Sequence, residues 1–159
     1  MLTHDPLQPH SHDPNPHPPG ADAAFWFVLP DAPPIRLTPA DLQTLPRTTL
    51  PDCYIVSTGH GTSGPFVFAG TTLYNLLTHY LPPGKTWSQV DIISGDSFGT
   101  RILAAEVIAP GIHRPILLSD TIDGAPMSRQ NGLVRLIVPG ETDDALRQVK
   151  WIARVVVRP

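Results

Sequence analysis

Ten residues, Ser57 to Phe66 (STGHGTSGPF), hold three glycines, four hydroxyl side chains and a histidine. Glycines in such a run let neighbouring backbone N–H groups converge on an anion. His60 can donate a hydrogen bond to the same ligand. No Gly-Lys-Ser/Thr ends the run, so it is not a nucleotide-binding P-loop. A second candidate, Gly95-Asp96-Ser97-Phe98-Gly99, has the G-x-S-x-G spacing of a serine nucleophile elbow. That chemistry needs a strand before the serine, a helix after it, and then an acid and a histidine further along. Here FGTRIL reads as the return strand of a hairpin, and Glu106 alone lies between Ser97 and the last histidine, His113. Turn chemistry accounts for this segment better than hydrolysis. A third candidate is Arg135 with Lys150, both in strand-like sequence. Arginine suits bidentate recognition of an anion and lysine a point contact. In a half-buried strand both would sit on the exposed face, with Trp151 turned the opposite way into the core.

The elements that must position these residues follow from pattern and punctuation. AAFWFVL (23–29) and IRL (35–37) suggest strands around the turn PDAPP. TPADLQTL (38–45) is a short helix, with Thr38 to cap, Pro39 at the first helical position and Asp41 in the first turn. CYIVS (53–57) is a strand leading into the glycine-rich loop, residues 57–64. TTLYNLLTHYL (71–81) puts Leu73, Leu76, Leu77, Tyr80 and Leu81 on one helical face, and Pro82-Pro83-Gly84 stops it. Strands are expected at 90–94, 100–103, 115–119, 132–140 and 149–157, with a helical turn at 103–108. The order is not a regular βαβ alternation, which favours an α+β domain over a doubly wound one.

Composition sets further bounds. Residues 1–22 are rich in proline, carry four of the seven histidines and hold almost nothing apolar. They are expected to form a disordered tail, with the folded domain at 23–159. His4, His10, His12 and His17 could collect a transition metal, although a solvated tail is the simpler account. A net charge of -3 with 11 Lys plus Arg argues against a nucleic-acid partner. A single cysteine, Cys53, excludes an intrachain disulfide and a multi-thiolate zinc site. The start lacks a signal-peptide pattern and no long apolar run exists, so a cytoplasmic protein without a membrane segment is expected.

From about Phe25 to the C-terminus the chain resembles the oxidoreductase molybdopterin-binding domains of the sulfite oxidase and methionine sulfoxide reductase catalytic-subunit superfamily. STGHGTSGPFVFAGTTLYNLL is similar to that family's Cys-x-Gly-Asn loop followed by F-x-G-x-x-L-x-x-L-L. VDIISGDSFGTRILAAEV resembles its next strand, turn and strand. IDGAPMSRQNGLVRLIVPGETDDALRQVKWIARVVV resembles the segment in which an arginine, Pro-Gly and V-K-W recur together. The resemblance implies an α+β fold, sulfite-oxidase-like, with a mixed β-sheet core and few short helices. It also implies a pyranopterin whose dithiolene holds molybdenum, and oxygen-atom or electron transfer at that metal.

Carried over by motif, the cofactor-binding residues would be Ser57, Gly59, His60, Gly61, Arg135 and Lys150, with Val149 nearby. The first motif places Ser57 where the family has its metal-binding cysteine, and Cys53 falls four residues earlier in the preceding strand. A serine hydroxyl is harder and far less acidic than a thiol. Asn131 stands where the family has a histidine, and Gly61 and Thr62 where it commonly has an arginine. Two functions stay open at this point. One is a molybdopterin-dependent oxidoreductase, with an electron-transfer partner that the sequence does not name. The other is a non-catalytic module on the same fold that has lost the metal-ligating cysteine and binds a small anion.

Overall fold

The computed structural model describes residues 22–57, 61–96, 98–108, 114–139 and 149–159, with Val56 and Ser57 as backbone only. The expected tail, residues 1–22, therefore falls almost wholly outside the described residues. The described residues form two five-stranded sheets. The first runs β2 (Ile35–Leu37), β1 (Phe25–Val28), β10 (Ile152–Arg158), β5 (Gln89–Ser94), β6 (Gly99–Leu103). Within it β1 and β10 are parallel and every other pair is antiparallel, so the sheet is mixed. The second runs β3 (Thr48–Ser57), β4 (Gly61–Thr72), β7 (Leu117–Ile122), β8 (Ala125–Pro126), with β9 (Arg135–Ile137) also on β7. All its pairs are antiparallel. With short helices between the strands, this is the expected α+β architecture.

Local chemistry explains where the helices begin. At α1 (Pro39–Gln43) the Thr38 hydroxyl accepts from the Asp41 N–H, and the Asp41 carboxylate accepts from the Thr38 N–H at 2.8 Å. This reciprocal box satisfies two N–H groups that a helix start leaves without partners. At α2 (Leu73–Tyr80) the Thr72 hydroxyl caps Asn75, and Leu73, Leu76 and Leu77 are buried on the face that the leucine spacing predicts. The turn at α3 (Ala104–Ile108) follows directly on β6.

The principal core lies on the inner face of the first sheet. Phe25, Phe27, Val155, Val157, Val90, Ile92 and Ile102 alternate inward there and meet Leu42, Leu73, Leu76, Leu118 and Leu136. A smaller cluster of Leu50, Cys53, Phe68, Leu117, Met127 and Ile137 fills the other face of the second sheet. Gly70 is fixed by the β4–β7 pairing, because a Cβ there would lie 1.9 Å from the Leu118 carbonyl oxygen.

Three elements depart from the sequence reading. All five described residues of the stretch expected as a loop at 57–64 are strand, since β3 ends at Ser57, β4 begins at Gly61, and Ser57 pairs with Gly61, Val56 with Thr62 and Ile55 with Ser63; residues 58–60 lie outside the described residues. The strand expected at 132–140 shrinks to residues 135–137, because Leu133 takes a positive φ of 62°. The last strand starts at Ile152 rather than 149, because Trp151 also has a positive φ, 50°.

Candidate functional site

Arg135 is not on an exposed face. It stands opposite Ser119 in the β7–β9 ladder, is 6% exposed, and its guanidinium carbon lies 5.9 Å from the centre of the Phe68 ring. The reason is that β9 has neighbours on both sides. β7 pairs with one edge, and the segment 149–152 bonds to the other through Leu136 N–H to Val149 O (2.9 Å), Ile152 N–H to Val134 O (3.3 Å) and Trp151 N–H to Gly132 O (2.9 Å). A guanidinium set over an aromatic face in a dry setting gains cation–π attraction that partly offsets its desolvation.

The same backbone bonds bring Lys150 beside Arg135. A Cβ at Gly132 would fall 2.9 Å from the Lys150 Cβ, so glycine, at φ 112°, lets the lysine stem lie against the chain. The Lys150 ammonium lies 5.7 Å over the Trp151 ring. Trp151 is held in turn: its indole N–H donates to the Arg129 carbonyl at 2.6 Å, and its carbonyl accepts from the Gly95 N–H at 2.9 Å. Lysine and tryptophan thus pack together, where strand alternation would have put them on opposite faces. Burial is the first cause that pushes the Lys150 pKa down to about 8; the Arg135 charge adds to it and Asp96 opposes it. Among the described residues Lys150 has no ion-pair partner. Two like charges lie close together in a partly dry corner, so Arg135 raises the cost of charging Lys150.

Asp96 belongs to the β5–β6 turn, where its carboxylate accepts from the Phe98 N–H at 3.0 Å and its own N–H donates to the Ser94 hydroxyl. A strand, β6, follows this turn, so the helix required by a nucleophile elbow is absent and the G-x-S-x-G spacing is turn chemistry. Ser97 itself lies outside the described residues. Asn131, in the position where a histidine was expected, closes a turn by donating its N–H to the Ser128 carbonyl and hydroxyl.

Of the remaining candidates, Gly59 and His60 lie outside the described residues. Ser57 and Gly61 face each other across the β3–β4 hairpin, and Gly61 has a positive φ of 87° with open space around it. Cys53 is 4% exposed inside the smaller core cluster, its thiol near the Leu50 and Pro51 carbonyls at 3.4 and 3.7 Å. Two groupings result, Arg135 with Lys150 and Ser57 with Gly61. Sequence reasoning missed Phe68, Gly132 and Asp96 as neighbours of the cations. Only the Asn131-Gly132 dipeptide, a turn signal just before a strand, hinted at one of them.

A family model described as "Oxidoreductase molybdopterin binding domain" matches residues 30–159. The chain belongs to that family. Among solved structures it is similar to the sulfane dehydrogenase SoxCD from Paracoccus pantotrophus, with a TM-score of 0.67 and 18% identity. That match covers 85% of this chain and 38% of the SoxCD chain. No curated protein matches. Among the described residues no group of three or more His, Cys, Asp or Glu could hold a metal ion, and no helix is long and apolar enough to cross a membrane.

Proposed function

We propose that this chain binds the molybdenum cofactor through the anionic, phosphate-bearing end of its pterin, with Arg135 and Lys150 as the contacts. The observation that carries the reading is the paired cations themselves, one buried over Phe68 and the other with a pKa depressed to about 8. A phosphate bound between them would be neutralised where water is scarce, which strengthens each charge-assisted hydrogen bond. Lys150 is still protonated at neutral pH, so it can donate to such an oxygen, and Trp151 and Gly132 restrict where its stem can lie. Ser57, Gly59, His60 and Gly61 are assigned to the metal-proximal side by their motif.

The fit is good at the anion end and poor at the metal end. The position of the family's thiolate is Ser57, and the Cys53 thiol is enclosed by Leu50, Phe68, Leu117, Met127 and Ile137. When bound, the cofactor would supply oxygen-atom or electron transfer, and the Cys53 thiol is packed in the smaller apolar cluster. That burial of Cys53 favours one second reading, a non-catalytic module that keeps the cation pair for another small anion.

Purification from a host that makes the cofactor separates the two. Molybdenum and fluorescent pterin near one equivalent per chain support the oxidoreductase-type reading. Inorganic phosphate binding at Lys150 without pterin or molybdenum supports the module, and binding of neither removes both.

A further inference from the structure

The outer face of the first sheet points to an interaction surface for an acidic polypeptide. Strand register places its side chains in three rows. Arg36, Trp26, Arg154, Ile93 and Gly99 form one, running from β2 to β6. Val28, Val156, Asp91 and Arg101 form the next, and Arg158, Gln89 and Leu103 the third. The opposite face of the same strands is the principal core, so this one is a sheet face that no element of the described chain covers. Trp26 is 48% exposed and Leu103 is 52% exposed, large apolar groups left at the surface.

The charge on this face is net positive. Among the described residues Arg36, Arg101, Arg154 and Arg158 stand with one carboxylate, Asp91, on the face, and Asp22 and Glu106 lie at its rim, so four positive charges less three negative leave an excess of one. The whole chain carries -3, and the face therefore stands against the average of the molecule. Asp91 is fully buried and accepts from the Nε of Arg101 and of Arg158, each at 3.0 Å, which fixes two of the guanidinium planes on the sheet. Arg154, at the centre beside Trp26, makes no hydrogen bond or ion pair with the described residues.

Every cation here is arginine, and the neighbours are tryptophan, leucine, valine and isoleucine. Arginine and aromatic residues with few lysines are the composition of a protein–protein contact. A second copy of the same face would set arginines against arginines. A single-stranded nucleic acid needs several aromatic platforms to stack successive bases, and this face has one, Trp26. We infer that the occupant is the acidic surface of another polypeptide. The rows span about 20 Å by 15 Å from strand and residue spacings, roughly 300 Å² against about 800 Å² per partner in a stable complex. The contact is accordingly transient and salt-sensitive.

The test measures binding of the intact chain to poly-L-glutamate of about 20 residues at about 50 mM and about 300 mM salt. A single-stranded DNA oligonucleotide of the same charge and phosphatidylserine vesicles serve as competing probes. The expected result is poly-glutamate binding at low salt that weakens at high salt. It should fall at least about fivefold in Arg154→Glu and in Trp26→Ala, and stay unchanged in Lys150→Met. Unchanged thermal melting of the two exposed-site variants shows that they fold. Tighter binding of DNA or vesicles than of poly-glutamate would overturn the inference. So would poly-glutamate binding that ignores Arg154→Glu, or no binding at low salt.

Discussion

At Asp91 a fully buried carboxylate receives two arginine Nε–H groups at 3.0 Å, and each of its oxygens has a cationic partner. At Lys150 the neighbouring charge is another cation, Arg135, and the lysine responds with a pKa lowered to about 8. Both places take charge out of water, which is costly unless the charge is paired. The first is settled within the fold and needs nothing from outside. The second sets two like charges side by side among the described residues, and an anion placed there would lower that cost. Loss of a group at the first should therefore unfold the protein more easily, while loss at the second should spare the fold and remove binding.

The largest effect expected from this contrast is in Asp91→Ala. Removing hydrogen bonds to a charged group costs about 2–3 kcal/mol here, less than stranding a fully buried charge because Arg101 and Arg158 are half-exposed and can turn to water. Denaturant unfolding would read this loss, and phosphate affinity should not change. Gly132→Ala comes next. Its left-handed φ of 112° and the 2.9 Å approach to the Lys150 Cβ predict a loss of about 1–2 kcal/mol in stability, together with weaker phosphate binding. A Gly132→Ala protein with full phosphate affinity would show that the glycine does not shape the lysine's position.

Lys150→Met should leave stability within about 1 kcal/mol of the parent, on the more stable side, because it removes a half-buried charge that no described residue pairs. Phosphate affinity should drop about tenfold, measured by calorimetry. The smallest effect is the pH dependence. Between about 8 and the ordinary 10.5, folded Lys150 has lost its proton while the unfolded chain still holds one. Stability from this group therefore rises with pH across that window, and anion affinity falls over the same range. Lys150→Met should flatten both trends, and an unchanged slope would mean that another group titrates.

Much of the fold was legible because its signals are local. The Thr38-Pro39-Asp41 box, the leucine spacing of α2 and the hairpin at 90–103 each depend on residues close in sequence. The start of β4 was hidden because Gly61 and Gly64 have low strand propensity, and the pairing with β3 decides the matter. The true setting of Arg135 was hidden for a different reason. Its burial depends on Phe68, far back on β4, and on the strand-like passage of 149–152, neither of which periodicity near Arg135 can show. The positive φ of Leu133 and Trp151 likewise comes from tertiary packing, since neither residue adopts that region by its own preference. Arg135 and Lys150 could be selected from the sequence, but their closeness could not.

The central claim is that the Arg135–Lys150 pair holds the anionic end of the cofactor. Its most direct test is the pterin content of the parent and of Lys150→Met, each purified from a host that makes the cofactor. The account predicts about one pterin per chain in the parent and at least about tenfold less in the variant. Equal pterin in the two proteins, or none in the parent, would contradict it.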